Sequence, residues 1–121
     1  MGTFKRFEDI EAWKTARELT RAAYAISGSK AFKRDFGLRD QICRSAVSIM
    51  SNIAEGFESQ TKPGFIRYLG IAKASSGEFR SQLYAVLDQE YIGRDDFAVL
   101  FDKAEKCSCQ ISKLITYLKN Q

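Results

Sequence analysis

The 121 residues are 45% hydrophobic and 28% charged, ordinary globular proportions that point away from a disordered chain and from a membrane-spanning one. A net charge of +4 is a mild basic excess, which permits contact with nucleic acid or another anionic surface without requiring it. The chain has no histidine, which removes Ser-His-Asp and Cys-His nucleophile pairs, histidine general bases and most zinc sites together.

Residues 1–9 carry basic side chains but no following apolar stretch, so they do not read as a secretory leader, and a cytoplasmic location is expected. A first helix over residues 8–27 follows from Ala12, Trp13, Ala16, Leu19, Ala23 and Ile26 recurring at steps of three and four. Ser27-Gly28-Ser29 ends it, and a short connector carries Lys30, Lys33 and Arg34 against one acid, Asp35. The second helix, 38–56, places Leu38, Ile42, Ala46, Ile49 and Ile53 on one face, with Gly56 and the polar run after it as the stop. Thr61 is suited to cap a third helix, 62–90, with Pro63 in its first turn, where a missing amide hydrogen costs little. Phe65, Leu69, Ala72, Phe79, Leu83 and Val86 form its core face. After Gly93, acidic Asp95 and Asp96 suit the positive end of a fourth helix, 95–119, whose stripe runs from Phe97 through Leu100, Ala104, Cys107, Ile111 and Leu114 to Leu118.

Short connections make successive helices antiparallel neighbours, so the expected fold is a single all-α domain, an antiparallel up-down four-helix bundle. Cys43, Cys107 and Cys109 are odd in number and contain no Cys-x-x-Cys pair, which argues for reduced thiols rather than disulfides or a metal site. Cys107 falls on the apolar face of the fourth helix, and Cys109 does not.

Two helices carry more contact surface than one bundle needs. Beside its core stripe the second helix has Cys43, Val47, Met50 and Ala54, and the two strips together span about half of its circumference. The third has a stripe of small residues, Gly70, Ala74, Gly77 and Ser81. Glycine inside a helix costs roughly 0.5 to 1 kcal/mol relative to alanine, so this stripe suggests a subunit contact, which Val47 and Met50 would share. Alternatively, the stripe faces solvent or receives another helix of the same bundle.

Phe7-Glu8-Asp9-Ile10-Glu11-Ala12-Trp13, Ser45-Ala46-Val47-Ser48-Ile49, Ser51-Asn52-Ile53-Ala54-Glu55-Gly56-Phe57 and Phe65-Ile66-Arg67-Tyr68-Leu69 resemble the four-helix-bundle family of 23S rRNA intervening-sequence proteins. The resemblance runs from about residue 4 to 118, and implies a bundle assembling as a homopentameric ring, with no agreed catalytic residues. A more distant likeness, in architecture alone, is to the accessory protein of diversity-generating retroelements, which would imply a reverse transcriptase and nucleic acid as partners. The sequence departs from the family pattern at Met50, where proline is common, and at Gly77 and Arg80.

Three constellations remain for chemistry. Lys62, Lys73 and Arg80 are spaced to fall within about 20° of one another on the third helix, a basic ridge that, with Lys30, Lys33 and Arg34, could engage phosphates; the bland alternative is a solvated surface. Ser48, Asn52 and Glu55 share one face of the second helix and read as a structural hydrogen-bonding contact. Glu55 with Glu78 could in principle hold a metal or do acid–base work, but neither belongs to a Glu-x-x-His pattern. No cofactor, metal or membrane contact is expected. The leading expectation is a non-enzymatic oligomeric bundle that binds RNA or DNA through a basic surface; the rival is a protein-interaction scaffold serving a nucleic-acid enzyme.

Overall fold

A computed structural model describes residues 4–121; residues 1–3, at the head of the segment read above against a leader, lie outside it. A single 3-10 turn, Phe7–Asp9, precedes four α-helices: α1 Glu11–Ser27, α2 Phe36–Glu58, α3 Lys62–Asp88 and α4 Arg94–Lys119. The first expected helix thus divides at Ile10. Its extended backbone turns the Ile10 side chain into the core and lays Phe7 edge-on against Trp13, with ring centroids 5.2 Å apart.

Helix α2 starts two residues before its expected position because Asp35 caps it, its carboxylate accepting the Leu38 N–H at 3.2 Å. Gly56 does not stop the helix. It lies buried within α2, where a methyl group would stand 2.8 Å from Tyr68 Cβ and 3.0 Å from Phe65 Cδ1, so its role is to let α3 approach closely. Thr61 caps α3 as its type suggested, accepting the Gly64 N–H at 3.1 Å, with Pro63 in the first turn. Helix α3 ends at Asp88, two residues early, and the chain leaves it through Glu90 at a φ of 61°.

Each helix packs on two others, in the order α1, α2, α3, α4 and back to α1, with no direct packing across the diagonals among the described residues. The cross-helix pairs fix the direction of every neighbour. Ser48 meets Ser75 while Ser45 meets Gln82; Thr20 meets Met50 while Ser27 meets Cys43; Cys107 meets Ala12 while Lys103 meets Glu18. In each case one number rises as the other falls, which is the antiparallel up-down arrangement. Tyr84 against Phe97 and Phe101 gives the same direction for α3 and α4, with Arg80 and Glu105 one turn further along.

The core runs the length of the bundle through Leu19, Ile42, Ile49, Ile53, Phe65, Leu69, Phe79, Leu83 and Ile111, all fully buried. Besides Ile10, a second core residue lies outside the helices. Phe32, between α1 and α2, is fully buried and stacks on Tyr91 of the α3–α4 connector with centroids 4.7 Å apart. The Tyr91 hydroxyl donates to the second Asp35 carboxylate oxygen at 3.0 Å. Asp35 therefore caps α2 and ties the two connectors at that end of the bundle.

Candidate nucleic-acid interface

The connector that buries Phe32 turns its cations outward. Lys30, Lys33 and Arg34 are all exposed, because the residues between them and α2 serve the core and the cap. The Arg39 side chain, from the first turns of α2, fixes the connector's path by donating to the Lys33 carbonyl at 2.7 Å.

The ridge expected on α3 does form a line, along the edge that faces α4, but the fold engages two of its three members. Lys62 donates from Nζ to the backbone carbonyl of Gln121 at 2.6 Å. Arg80 lies 6.0 Å over the Phe101 ring, with one terminal nitrogen 3.9 Å from Glu105 and its Nε buried without a hydrogen-bond partner. Lys73 is the exposed member. The connector crosses from α1 to α2, on the opposite side of the bundle from this α3–α4 edge, so within one chain the two basic groups do not converge.

A different basic surface is assembled by α1 and α4. Lys14, Arg17 and Arg21 occupy one outer face of α1 and border a shallow depression together with Lys106 of α4, Trp13, Glu11 and Glu18. The Arg17 guanidinium lies 5.9 Å from the Trp13 ring centroid. Lys14 pairs with Glu11 at 3.2 Å, and Glu18 receives Lys103 at 3.8 Å. Such exposed pairs contribute little and exchange readily with a phosphate. The spacing of 14, 17 and 21 was legible as a helical face, but Lys106 joins them only through the packing of α4 on α1.

The polar cluster is structural in two of its three members. Asn52 donates to the Ser48 carbonyl at 2.8 Å and to its hydroxyl at 3.1 Å, and Ser48 in turn shares a 2.9 Å hydrogen bond with Ser75 of α3. One turn along, Ser45 donates to Gln82 at 2.7 Å. Glu55 is exposed and lies outside this network. With Ser48 level with Ser75 and Ser45 with Gln82, Glu78 sits opposite residues 46 and 47, about 13 Å along α2 from Glu55. The two carboxylates do not form a pair, and no metal-type cluster of three His, Cys, Asp or Glu occurs among the described residues.

The small-residue stripe of α3 does not receive another helix of its own bundle: Gly70, Ala74 and Ser81 are exposed, and a Cβ on Gly70 would meet nothing within 4 Å. Part of the extra apolar strip on α2 is used within the chain. Cys43 lies 3.5 Å from the Ser27 hydroxyl, and the Met50 sulfur accepts from Thr20 at 3.3 Å, so both are half-buried against α1. Val47 is half-buried on the outer side of the same strip.

Of the three thiols, Cys107 is fully buried and donates weakly to the Ala12 carbonyl at 3.5 Å, and burial pushes its pKa up to about 12. Cys109 is exposed. No helix among the described residues is long and apolar enough to cross a membrane.

No curated protein matches the chain. A solved structure, of a protein of unknown function from the S23 ribosomal protein family of Bacteroides thetaiotaomicron, superposes on it with a TM-score of 0.80 at 23% identity, covering 87% of this chain and 95% of that one. At that identity the likeness establishes the fold, and the fold is the one derived above. The sequence model of the 23S rRNA-intervening sequence proteins matches residues 8–113, from the turn before α1 to the last turns of α4. The chain belongs to the 23S rRNA-intervening sequence protein family.

Proposed function

We propose that this protein is a non-enzymatic bundle that self-associates and binds RNA or DNA through phosphate contacts, with no sequence readout of its own. The observation that carries the reading is the α1–α4 surface, where Lys14, Arg17, Arg21 and Lys106 surround an aromatic ring and are held by nothing stronger than exposed ion pairs. Lys30, Lys33 and Arg34 extend the positive charge beyond the end of α1, and Lys73 adds a lesser site on α3. Self-association, expected through the open stripe of Gly70, Ala74, Gly77 and Ser81, would repeat each surface in every copy. The one carboxylate pair considered for acid–base work, Glu55 with Glu78, is not brought together.

A gel shift of structured RNA and duplex DNA across a salt series tests the reading. Binding should weaken steeply with salt, by about 0.9 in log–log slope for each phosphate neutralised on duplex DNA, and should vary little with sequence. The triple variant Lys14→Glu/Arg17→Glu/Arg21→Glu should lose binding with helicity unchanged, whereas Lys73→Glu should weaken it only slightly. A wild-type protein that binds neither nucleic acid at low salt overturns the proposal and favours a scaffold for a protein partner.

A further inference from the structure

Aromatic side chains stand among the cations of α1, and they are spaced along it. Trp13 is half-buried and lines the depression bordered by Lys14, Arg17, Arg21 and Lys106. Phe7, in the turn before α1, packs edge-on against its ring at 5.2 Å. Tyr24, eleven residues further on, falls within about 20° of Trp13 around α1 and about 16 Å beyond it along the axis. It is 59% exposed, and it shares a groove with Phe36, 73% exposed, and with Arg39. Arg17 and Arg21 lie between Trp13 and Tyr24 in the chain, and Lys33 and Arg34 between Tyr24 and Phe36. The one acid between Trp13 and Tyr24, Glu18, is turned toward α4, where it receives Lys103 at 3.8 Å.

Phosphate contacts alone have no use for rings placed in this order. A row of cations interrupted by aromatic faces suits a strand whose bases are unpaired: its backbone follows the charges and its bases lie on the rings, whatever their identity, because every base has a π-face. A duplex cannot use the rings, since its bases are already stacked on one another. The Arg17 guanidinium, 5.9 Å over Trp13, is a weaker occupant of that ring than a base, so a base displaces it and leaves it free for the adjoining phosphate. With Phe7 already fixing the indole, little order is lost on stacking. A second aromatic group, Tyr84 with Phe97 and Phe101, has Asp88 and Glu105 one turn from its rings and would repel a phosphate.

We infer that the outer edge of α1 is a track for single-stranded nucleic acid, in which unpaired bases stack on Trp13 and Tyr24 and the phosphates between them meet Arg17 and Arg21. The inference rests on the nucleic-acid half of the proposed function and adds to it the class of strand. It also reverses a preference. Phosphate contacts alone favour a duplex, whose charge is denser, whereas the track favours the strand whose bases are free.

Trp13 is the only tryptophan in the chain, so its fluorescence reads the contact directly. Short oligothymidine DNA, oligouridine RNA and a DNA duplex of equal length are titrated at one salt concentration. Both single strands should quench Trp13 and bind more tightly than the duplex, and the tighter of the two identifies the sugar the track prefers. Tyr24→Ala and Trp13→Leu should each weaken single-strand binding by about five- to a hundredfold and leave duplex binding unchanged. Tyr84→Ala, in the aromatic group flanked by acids, should change neither. Circular dichroism is the folding control, and because Trp13 packs on Phe7, the exposed Tyr24→Ala decides the matter if Trp13→Leu unfolds. A duplex bound as tightly as the single strands, a Trp13 left unquenched at saturation, or a Tyr24→Ala variant that keeps full single-strand affinity or weakens both ligands alike overturns the inference and leaves phosphate binding standing. A wild type that binds none of the three removes the inference together with the nucleic-acid half of the proposed function.

Discussion

Two glycines inside helices, at Gly56 and Gly70, have opposite meanings. Gly56 admits α3 so closely that a single methyl group would meet the Tyr68 Cβ at 2.8 Å, an atom fixed to the backbone that cannot swing aside. Gly56→Ala should therefore destabilise the protein by about 1–3 kcal/mol, as overpacking does. Gly70 has open space where its Cβ would be. In dilute protein, where copies are apart, Gly70→Ala should stabilise the helix by roughly 0.5–1 kcal/mol. Urea titrations of both variants read these signs directly. The thiols divide in the same way. A disulfide reagent at neutral pH should label exposed Cys109 in the native protein and reach Cys107 only on unfolding, because burial holds that thiol protonated. Since its folded pKa is raised from 9.0 to about 12, its contribution to stability is complete below pH 9 and is lost as pH climbs from there toward 12.

The helices were legible in the sequence to within two or three residues at most ends because their apolar stripes repeat at steps of three and four, and Thr61 caps α3 as its type suggested. What escaped was tertiary. Gly56 resembles a stop signal, and only the presence of α3 shows it to be a point of close approach. Phe32 stands in a connector rich in cations, with no periodicity to mark it as core. Asp35, the one acid in that connector, became a cap shared with Tyr91. Removing it should undo the helix cap and release the Tyr91 hydroxyl to solvent: Asp35→Ala should cost about 1 kcal/mol, mostly for the lost cap, measurable in the urea midpoint. The hydrogen bond to Asp35 raises the Tyr91 pKa above its usual 10.0, with desolvation adding to the shift. The stability that Tyr91 contributes is therefore full below pH 10 and falls as pH rises through the raised value; Tyr91→Phe should flatten that part of the alkaline profile.

For the whole molecule, the candidate site was less legible than the fold. The ridge of Lys62, Lys73 and Arg80 is real as a line on one helix, yet its ends are held by Gln121, just past the end of α4, and by Phe101 with Glu105 of α4, partners that no helical projection of α3 contains. The α1–α4 surface required the opposite step, adding Lys106 to a row already visible on α1. Charge thus separates into a cationic α1–α4 flank and an acidic margin where α4 begins, although the net excess is only +4.

The clasp of Phe32, Tyr91 and Asp35 has a kinetic consequence. It joins the turn of the α1–α2 hairpin to the turn of the α3–α4 hairpin, so neither hairpin can swing open at that end while the other stays shut. At the far end α2 and α3 are held by the three-residue turn between them and by the fit of Gly56. Amide protons near the two clasped turns should then exchange with solvent in one shared opening event rather than two, with equal protection in both hairpins, and breaking the clasp would let the two halves of the bundle breathe out of step.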